Sequence, residues 1–180
     1  MNGIVNAGGL VHVPPTRVSA ATIQATSKAT VMVLTSQRNP RGGNVSNLAT
    51  VQGIYEAFGK GDIPAILNVL ADDVEWEAWA DNSAVKAGVP WMIPRHGKAE
   101  AVHFFEAVGQ MEIVELQVLS MMEGDAQVAV EFVLEANLPA WGGGHYRDEE
   151  MHLWTFNDEG KVVRLRHYTD TAKHIAALKG

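Results

Sequence analysis

Apolar and polar residues follow a helical period after residue 45 and then a period of two along most of the remaining chain. Apolar side chains at helical spacing predict a first helix, which Ser46 can cap and which Gly59–Gly61 ends. Asp62 can cap a second, shorter helix. The same spacing predicts a third helix over residues 98–108.

The period-two segments predict strands. The stretch DVEWEAW, residues 73–79, alternates apolar and acidic residues as a half-buried strand does. Four more such segments, separated by turns of hairpin type, cover residues 112–122, 126–138, 145–156 and 161–170. Helices followed by strands predict an α+β fold, in which three N-terminal helices cover the concave face of a curved, largely antiparallel (mixed) sheet. A short terminal helix over residues 172–178 closes the chain.

The first 44 residues differ in composition from the rest of the chain. They contain no Asp or Glu, many Ser and Thr, and four basic residues. We therefore divide the chain into an N-terminal extension of unknown role, residues 1–44, and a folded domain, residues 45–180. Because acid-free, Ser-rich openings can be transit peptides, a targeting signal is the alternative interpretation of the extension.

Composition excludes several classes of function. A formal charge of −7 argues against a nucleic-acid partner and against binding to an anionic membrane. The chain has no cysteine, so disulfides, thiolate nucleophiles and cysteine-based metal sites are excluded, and a reducing cytoplasmic location is expected. The sequence also lacks a zinc-protease HExxH motif, a phosphate-binding loop and a dinucleotide fingerprint. We expect no metal and no cofactor.

Two histidines lie within strand segments that otherwise read as a hydrophobic hairpin. Glu150, His152 and Trp154 share one face of their strand, and the aromatic residue indicates that this face points inward. His167 ends an apolar row on the next strand. If both rows face inward, two imidazoles line one cavity and can transfer protons near neutral pH, oriented by Glu150 or Glu131. These four residues are the predicted catalytic group.

A structural interpretation of the same residues stays open. Both histidines can be core groups bonded to backbone carbonyls or carboxylates. Glu131 faces opposite its apolar neighbours Val130 and Phe132, so its solvated placement is favoured over a buried one. Large aromatic residues would shape a binding cavity, and the predicted substrate-binding residues are Trp76, Trp154, Phe132, Tyr55 and Trp91.

Three histidine pairs share a spacing of seven residues. On a single strand this spacing places the two partners on opposite faces, so we interpret it as carrying no chelating function. The pairs are His96/His103, His145/His152 and His167/His174.

Three stretches resemble the nuclear transport factor 2-like superfamily, a cone-shaped fold shared by ketosteroid isomerases, limonene epoxide hydrolase and SnoaL-like polyketide cyclases. They are Val51–Trp79, Pro94–Val108 and His152–Ala172. The last stretch is similar to the SnoaL-like pattern of a histidine, an aromatic residue, a GK turn and a terminal YxDT. The resemblance implies the cone fold and a homodimer formed through the outer face of the sheet.

The family resemblance transfers its functional residues only in part. The histidine that polyketide cyclases use before the GK turn falls on His152, whereas their late aspartate falls on His167. The base of ketosteroid isomerases falls on Ala78, with Glu77 beside it. This chain therefore departs from both patterns at the acidic position.

Together these observations predict a small, cofactor-independent enzyme that uses general acid–base catalysis. Its ligand would be a hydrophobic small molecule containing a carbonyl group or a ring, and its reaction an isomerisation, cyclisation or hydrolysis. The alternative function is a non-catalytic module on the same fold that binds a small molecule or associates with another protein.

Overall fold

The computed structural model describes residues 46–79 and 81–180, so the predicted extension 1–44 lies outside the described residues. The helices and strands follow one another in the order α1 Asn47–Lys60, α2 Ile63–Val69, β1 Leu70–Ala78, α3 Ser83–Lys86, β2 Arg95–His96, α4 Gly97–Val108, β3 Glu112–Gly124, β4 Gln127–Leu138, β5 Gly144–Phe156, β6 Val162–Tyr168 and α5 Thr171–Lys179. Two short 3-10 turns cover Pro90–Met92 and Pro139–Trp141. None of the described helices has the length and apolar character needed to cross a membrane.

Local capping explains where the first two helices begin and end. The Ser46 side chain accepts a hydrogen bond from the Ala49 amide at 3.1 Å, and Asp62 does the same for the Ala65 amide at 3.1 Å. Gly61 ends α1 in the left-handed conformation, with φ of 69°, which glycine adopts without steric cost. Both predicted caps are confirmed.

One six-stranded sheet has the order β2-β1-β6-β5-β4-β3. All neighbouring pairs are antiparallel except β1 and β6, which run parallel, so the sheet is mixed. Register shifts in β3 against β4 are of the kind that bends strands, and the sheet is curved. The predicted α+β class is confirmed.

The connection between β1 and α4 is more ordered than its irregular sequence predicts. Asn82 caps the short helix α3 by accepting from the amides of Ala84 and Val85. The Arg95 guanidinium donates to the Pro90 carbonyl at 2.9 Å and so holds the 3-10 turn against β2. These elements depend on side-chain contacts with the backbone, which hydrophobic periodicity does not report.

The side chains of strand β5 alternate between the two faces of the sheet. Its residues alternate between buried and exposed positions from Gly144 to Glu150, and Trp154 and Phe156 continue the buried row. The buried row faces α1, α4 and α5, which confirms the predicted inward face of this strand. The core on this face is not completely filled, and the space that remains is the candidate site.

Candidate functional site

A cavity lies between the concave face of the sheet and the helices. Its enclosed volume is about 70 Å³. An apolar cavity of about 150 Å³ is large enough to bind benzene. A small ring therefore fits only if it extends from the enclosed space towards the surface.

The cavity wall is predominantly aromatic. All five residues predicted to bind a substrate line it: Tyr55, Trp76, Trp91, Phe132 and Trp154. The apolar lining residues that keep part of their surface exposed to solvent come from α1, α4, β3 and β4, and they are Phe58, Val108, Ile113 and Leu134. Their exposure indicates that the cavity approaches the surface on this side.

The imidazole ring of His152 lines this cavity. Its Nδ1 lies 2.7 Å from the Tyr55 hydroxyl, whereas its Nε2 is buried and has no hydrogen-bond partner among the described residues. Burial, together with the nearby His167, lowers the pKa of His152 well below its usual value. Burial also raises the pKa of the Tyr55 hydroxyl well above its usual value. Near neutral pH, Tyr55 therefore keeps its proton and His152 is a neutral imidazole.

His167 lies directly opposite His152 across β5 and β6. The two ring centroids are 4.5 Å apart, and His167 also lines the cavity. Nε2 of His167 lies 2.6 Å from Oε2 of Glu150, a carboxyl whose side chain is completely buried. Burial opposes ionisation of Glu150, but the charges of His167 and His174 and the hydrogen bond of His167 outweigh burial and lower its pKa. Glu150 is therefore a buried carboxylate paired with imidazole.

His174, on α5, is a member of this cluster that the sequence pattern does not indicate. It is fully buried, and its Nε2 lies 3.2 Å from Oε1 of Glu150 and 2.5 Å from the Thr169 hydroxyl. The Trp91 indole donates to Nδ1 of His174 at 2.9 Å. Burial opposes protonation, but Asp148 and Glu150 raise the pKa of His174 to about 8. The contact from Trp91 has the opposite effect, because it requires a lone pair on Nδ1.

Asp148 anchors the same cluster from β5. Its oxygens accept hydrogen bonds from the Thr169 hydroxyl at 2.6 Å, the Asp170 amide at 2.8 Å and the Lys173 ammonium at 2.7 Å. Burial raises the pKa of Asp148, but these bonds and His174 overcome it and leave the pKa well below its usual range. Asp148 thereby fixes the start of α5, and with it His174, against the sheet.

Ligand atoms of Asp148, Glu150 and His174 lie within 4.8 Å of one another, which raises the question of a metal site. Their hydrogen bonds do not suit a cation. Donation from Trp91 to Nδ1 places the proton of neutral His174 on Nε2, the atom that would face the ion. Asp148 is already bonded to the ammonium of Lys173. The cluster is arranged around protons rather than around a metal ion.

The structure corrects the predicted role of Glu131 and the placement of one histidine pair. Glu131 does not reach the cavity, because it lies exposed on the outer face of β4, where its Oε2 accepts from Ser120 at 3.0 Å. Its neighbour Phe132 faces inward opposite Glu150, so strand alternation turns Glu131 outward. His167 and His174 do not lie on one strand, because the chain turns into α5 between them, and both rings reach Glu150.

Comparison with known proteins identifies the family of the chain. A model of the SnoaL-like domain matches residues 51–165. The chain belongs to the SnoaL-like family. The match covers more than half of this SnoaL-like protein and includes Tyr55, Glu150 and His152 but not His167 or His174. The predicted family is thus confirmed. No curated protein is significantly similar to the chain.

Solved structures show the same fold. An NTF2-like protein of unknown function from Burkholderia pseudomallei is 26% identical, with a TM-score of 0.63 over 74% of this chain and 98% of that chain. An NTF2-like protein from Burkholderia thailandensis is 18% identical, with a TM-score of 0.65 over 76% and 100% of the two chains. TerC, co-crystallized with polyporic acid, is 24% identical, with a TM-score of 0.60 over 74% and 98%.

Proposed function

We propose that this SnoaL-like protein is a small, cofactor-independent enzyme that moves protons on a hydrophobic, carbonyl-containing cyclic molecule. The single observation that supports this most strongly is the placement of His152, His167 and Glu150 together in the wall of an otherwise aromatic and aliphatic cavity. Burying these groups costs free energy, and an apolar side chain would fill the same positions at lower cost.

His167 is the proposed general base. When Nε2 of the neutral ring donates to Glu150, Nδ1 carries the lone pair, and the nearby carboxylate stabilises the cation that forms when Nδ1 takes a proton. The buried carboxylate also fixes the orientation of the ring. This arrangement is the same in principle as a histidine oriented by a carboxylate in hydrolases.

His152 is the proposed hydrogen-bond donor to the substrate oxygen. When the Tyr55 hydroxyl donates to Nδ1 of His152, the proton of the neutral ring lies on Nε2, the atom without a protein partner among the described residues. A neutral N–H group in an apolar cavity can stabilise an oxyanion without first losing a proton.

The proposed step is enolisation. His167 removes a proton from the carbon next to the carbonyl, the electrons of that C–H bond form a carbon–carbon double bond, and the carbonyl electrons move to the oxygen near His152. Where the substrate carries a further carbon–carbon double bond at the β,γ position, the product of this step is a dienolate, and return of the proton to its γ carbon moves that double bond into conjugation and completes an isomerisation. Atoms and electrons balance without an oxidant or a reductant.

Two further features of the proposal concern assembly and location. We propose a homodimer through the outer face of the sheet, where Met122 and Met151 are exposed. A cytoplasmic location is consistent with a chain that contains no cysteine. Neither feature is needed for the chemistry within one chain.

Proton exchange tests the function and does not require the natural substrate. A panel of small cyclic ketones in D₂O, including cyclohexanone and 2-cyclohexenone, is incubated with the protein, and ¹H NMR follows the loss of the protons next to the carbonyl. We expect exchange above the buffer rate for at least one ketone. His167→Gln should reduce the rate at least about 100-fold, which is typical for loss of a general base.

Two matched variants on the outer face of the sheet control for effects on folding and for the loss of an ionisable side chain. His145→Gln changes an exposed histidine on the same strand as His152, and Glu131→Gln changes an exposed acid near Glu150. Both should exchange at the wild-type rate. Binding of the ketones with exchange equal in wild type and His167→Gln would contradict the enzyme proposal and favour the ligand-binding alternative.

A further inference from the structure

The C-terminal helix α5 contributes an imidazole to the site from outside the strands that form the cavity wall. His174 is 0% exposed, although histidine is only intermediate among the amino acids in how often it is fully buried. It does not line the cavity itself. Its contacts instead reach two cavity residues, Trp91 and Glu150, and the hydroxyl of Thr169.

Glu150 is the group that His174 shares with His167. One carboxylate oxygen, Oε2, lies 2.6 Å from Nε2 of His167, and the other, Oε1, lies 3.2 Å from Nε2 of His174. The second contact is close enough for strong electrostatic attraction but is not aligned as a hydrogen bond. The two imidazoles thus hold the carboxylate from its two ends.

We propose that His174, held in place by Asp148, is a positioning residue for the base His167 and acts through Glu150. His174 attracts Oε1, which keeps Oε2 on Nε2 of His167, and this contact keeps the lone pair of His167 on Nδ1. The inference rests on the proposed function, because it concerns the base of that reaction. It connects the C-terminal helix α5 to the base His167 through His174 and Glu150.

The charges around His174 support this role. The anions that face it are Asp148 and Glu150 on β5, and Tyr146 of the same strand packs its ring 4.3 Å from the imidazole centroid. On α5, Lys173 binds the far oxygen of Asp148, and His167 on β6 binds the far oxygen of Glu150. Each carboxylate therefore lies between His174 and a second basic side chain, Lys173 for Asp148 and His167 for Glu150. Loss of His174 leaves Glu150 with His167 as its remaining partner in this cluster.

Trp91 connects His174 to the wall of the cavity. The Trp91 indole lines the cavity and donates to Nδ1 of His174. In the neutral ring this bond favours the tautomer of His174 with its proton on Nε2, the atom that lies 2.5 Å from the Thr169 hydroxyl and 3.2 Å from Oε1 of Glu150. The aromatic wall and the base are thereby connected through one imidazole.

The test compares His174→Gln and Asp148→Asn with wild type and with the exposed control His145→Gln. In proteins labelled with ¹⁵N-histidine, the two nitrogen shifts of His167, assigned by their loss in His167→Gln, report its tautomer. We expect a predominant Nε2–H form of the neutral ring in wild type and in the control. Both test variants should show averaged shifts that indicate a mixture of tautomers.

Ketone exchange supplies the second readout. We expect kcat to fall about tenfold in His174→Gln with KM changed less than twofold, together with a displaced pH profile. An unchanged tautomer in both folded variants would overturn the inference, and so would an unchanged kcat. If wild type exchanges no ketone, the proposed function fails, whereas the tautomer measurement still shows whether His174 orients His167.

Discussion

The elevated pKa of His174 predicts how the stability of the fold depends on pH. Its usual value of 6.5 is raised to about 8 by Asp148 and Glu150, against the effect of burial. Because the pKa is higher in the folded state, the protonated imidazole stabilises the fold. The full contribution is present below about pH 6.5 and is lost as the pH rises through about 8. The difference of about 1.5 units corresponds to about 2 kcal/mol, since one unit is worth 1.36 kcal/mol.

Urea unfolding of wild type and His174→Gln at several values between pH 6.5 and 9 measures this contribution. The free energy of unfolding of wild type should exceed that of the variant by about 1.6 kcal/mol more at pH 6.5, where the unfolded imidazole is half protonated, than at pH 9. The lowered pKa of His152 acts in the opposite sense, because it reduces stability as the pH falls below about 6.5. It is present in both proteins and cancels in the difference.

The control is His145→Gln, which removes an exposed histidine from the beginning of β5. Its difference from wild type should change by less than about 1 kcal/mol over the same range, because the ion pair of His145 with Glu135 lies at the surface. The reasoning about His174 is refuted if its variant also shows a constant difference, or if the difference grows towards pH 9. Either result would mean that the bond from Trp91 keeps the imidazole neutral throughout.

Three other measurements test separate parts of the structure. Glu150→Gln should destabilise the fold by about 3–5 kcal/mol near pH 6.5, because it leaves buried imidazolium charge without its carboxylate. Glu131→Gln should change the free energy of unfolding by less than about 0.5 kcal/mol. Equal effects of the two variants in chemical denaturation would contradict the placement of Glu150 on the inner face of the sheet and Glu131 on the outer face. Gly144→Ala should destabilise the fold by about 1–3 kcal/mol, because a Cβ at this position would lie 1.8 Å from the Ala177 carbonyl oxygen of α5. Gly53→Ala, whose Cβ would have no atom within 4 Å, should stabilise α1 by about 0.5–1 kcal/mol. A Gly144→Ala protein with an unchanged melting temperature would show that α5 is not packed as described. Size-exclusion chromatography with light scattering at micromolar concentration should give the mass of two chains, and a purely monomeric profile would remove the proposed homodimer.

The sequence predicts those parts of the site that depend on local periodicity. Alternation along β5 is sufficient to place Glu150, His152 and Trp154 on one face, because successive side chains of a strand point to opposite sides of the sheet. The same rule turns Glu131 away from the cavity, so a catalytic role for this residue contradicts the pattern of its own strand. Strand alternation alone separates the two glutamates correctly.

The remaining contacts are set by tertiary structure. His174 follows a helical cap, and its spacing from His167 says nothing about the direction in which α5 returns to the sheet. That direction depends on the close packing of Gly144 against Ala177, two residues that are distant in sequence. Trp91 belongs to a loop with no period, so its bond to His174 has no signal in the local pattern.

The parallel pairing of β1 with β6 has a consequence for biosynthesis. Glu77 and Arg166, which bridge these strands, are 89 positions apart in the chain. Until the ribosome has extruded β6, β1 has no partner on that side, so its apolar residues Val74 and Trp76 stay accessible to chaperones and to neighbouring nascent chains. Folding is expected to finish only after translation of the hairpin that holds both cavity histidines, and prematurely terminated fragments should be degraded rather than accumulate.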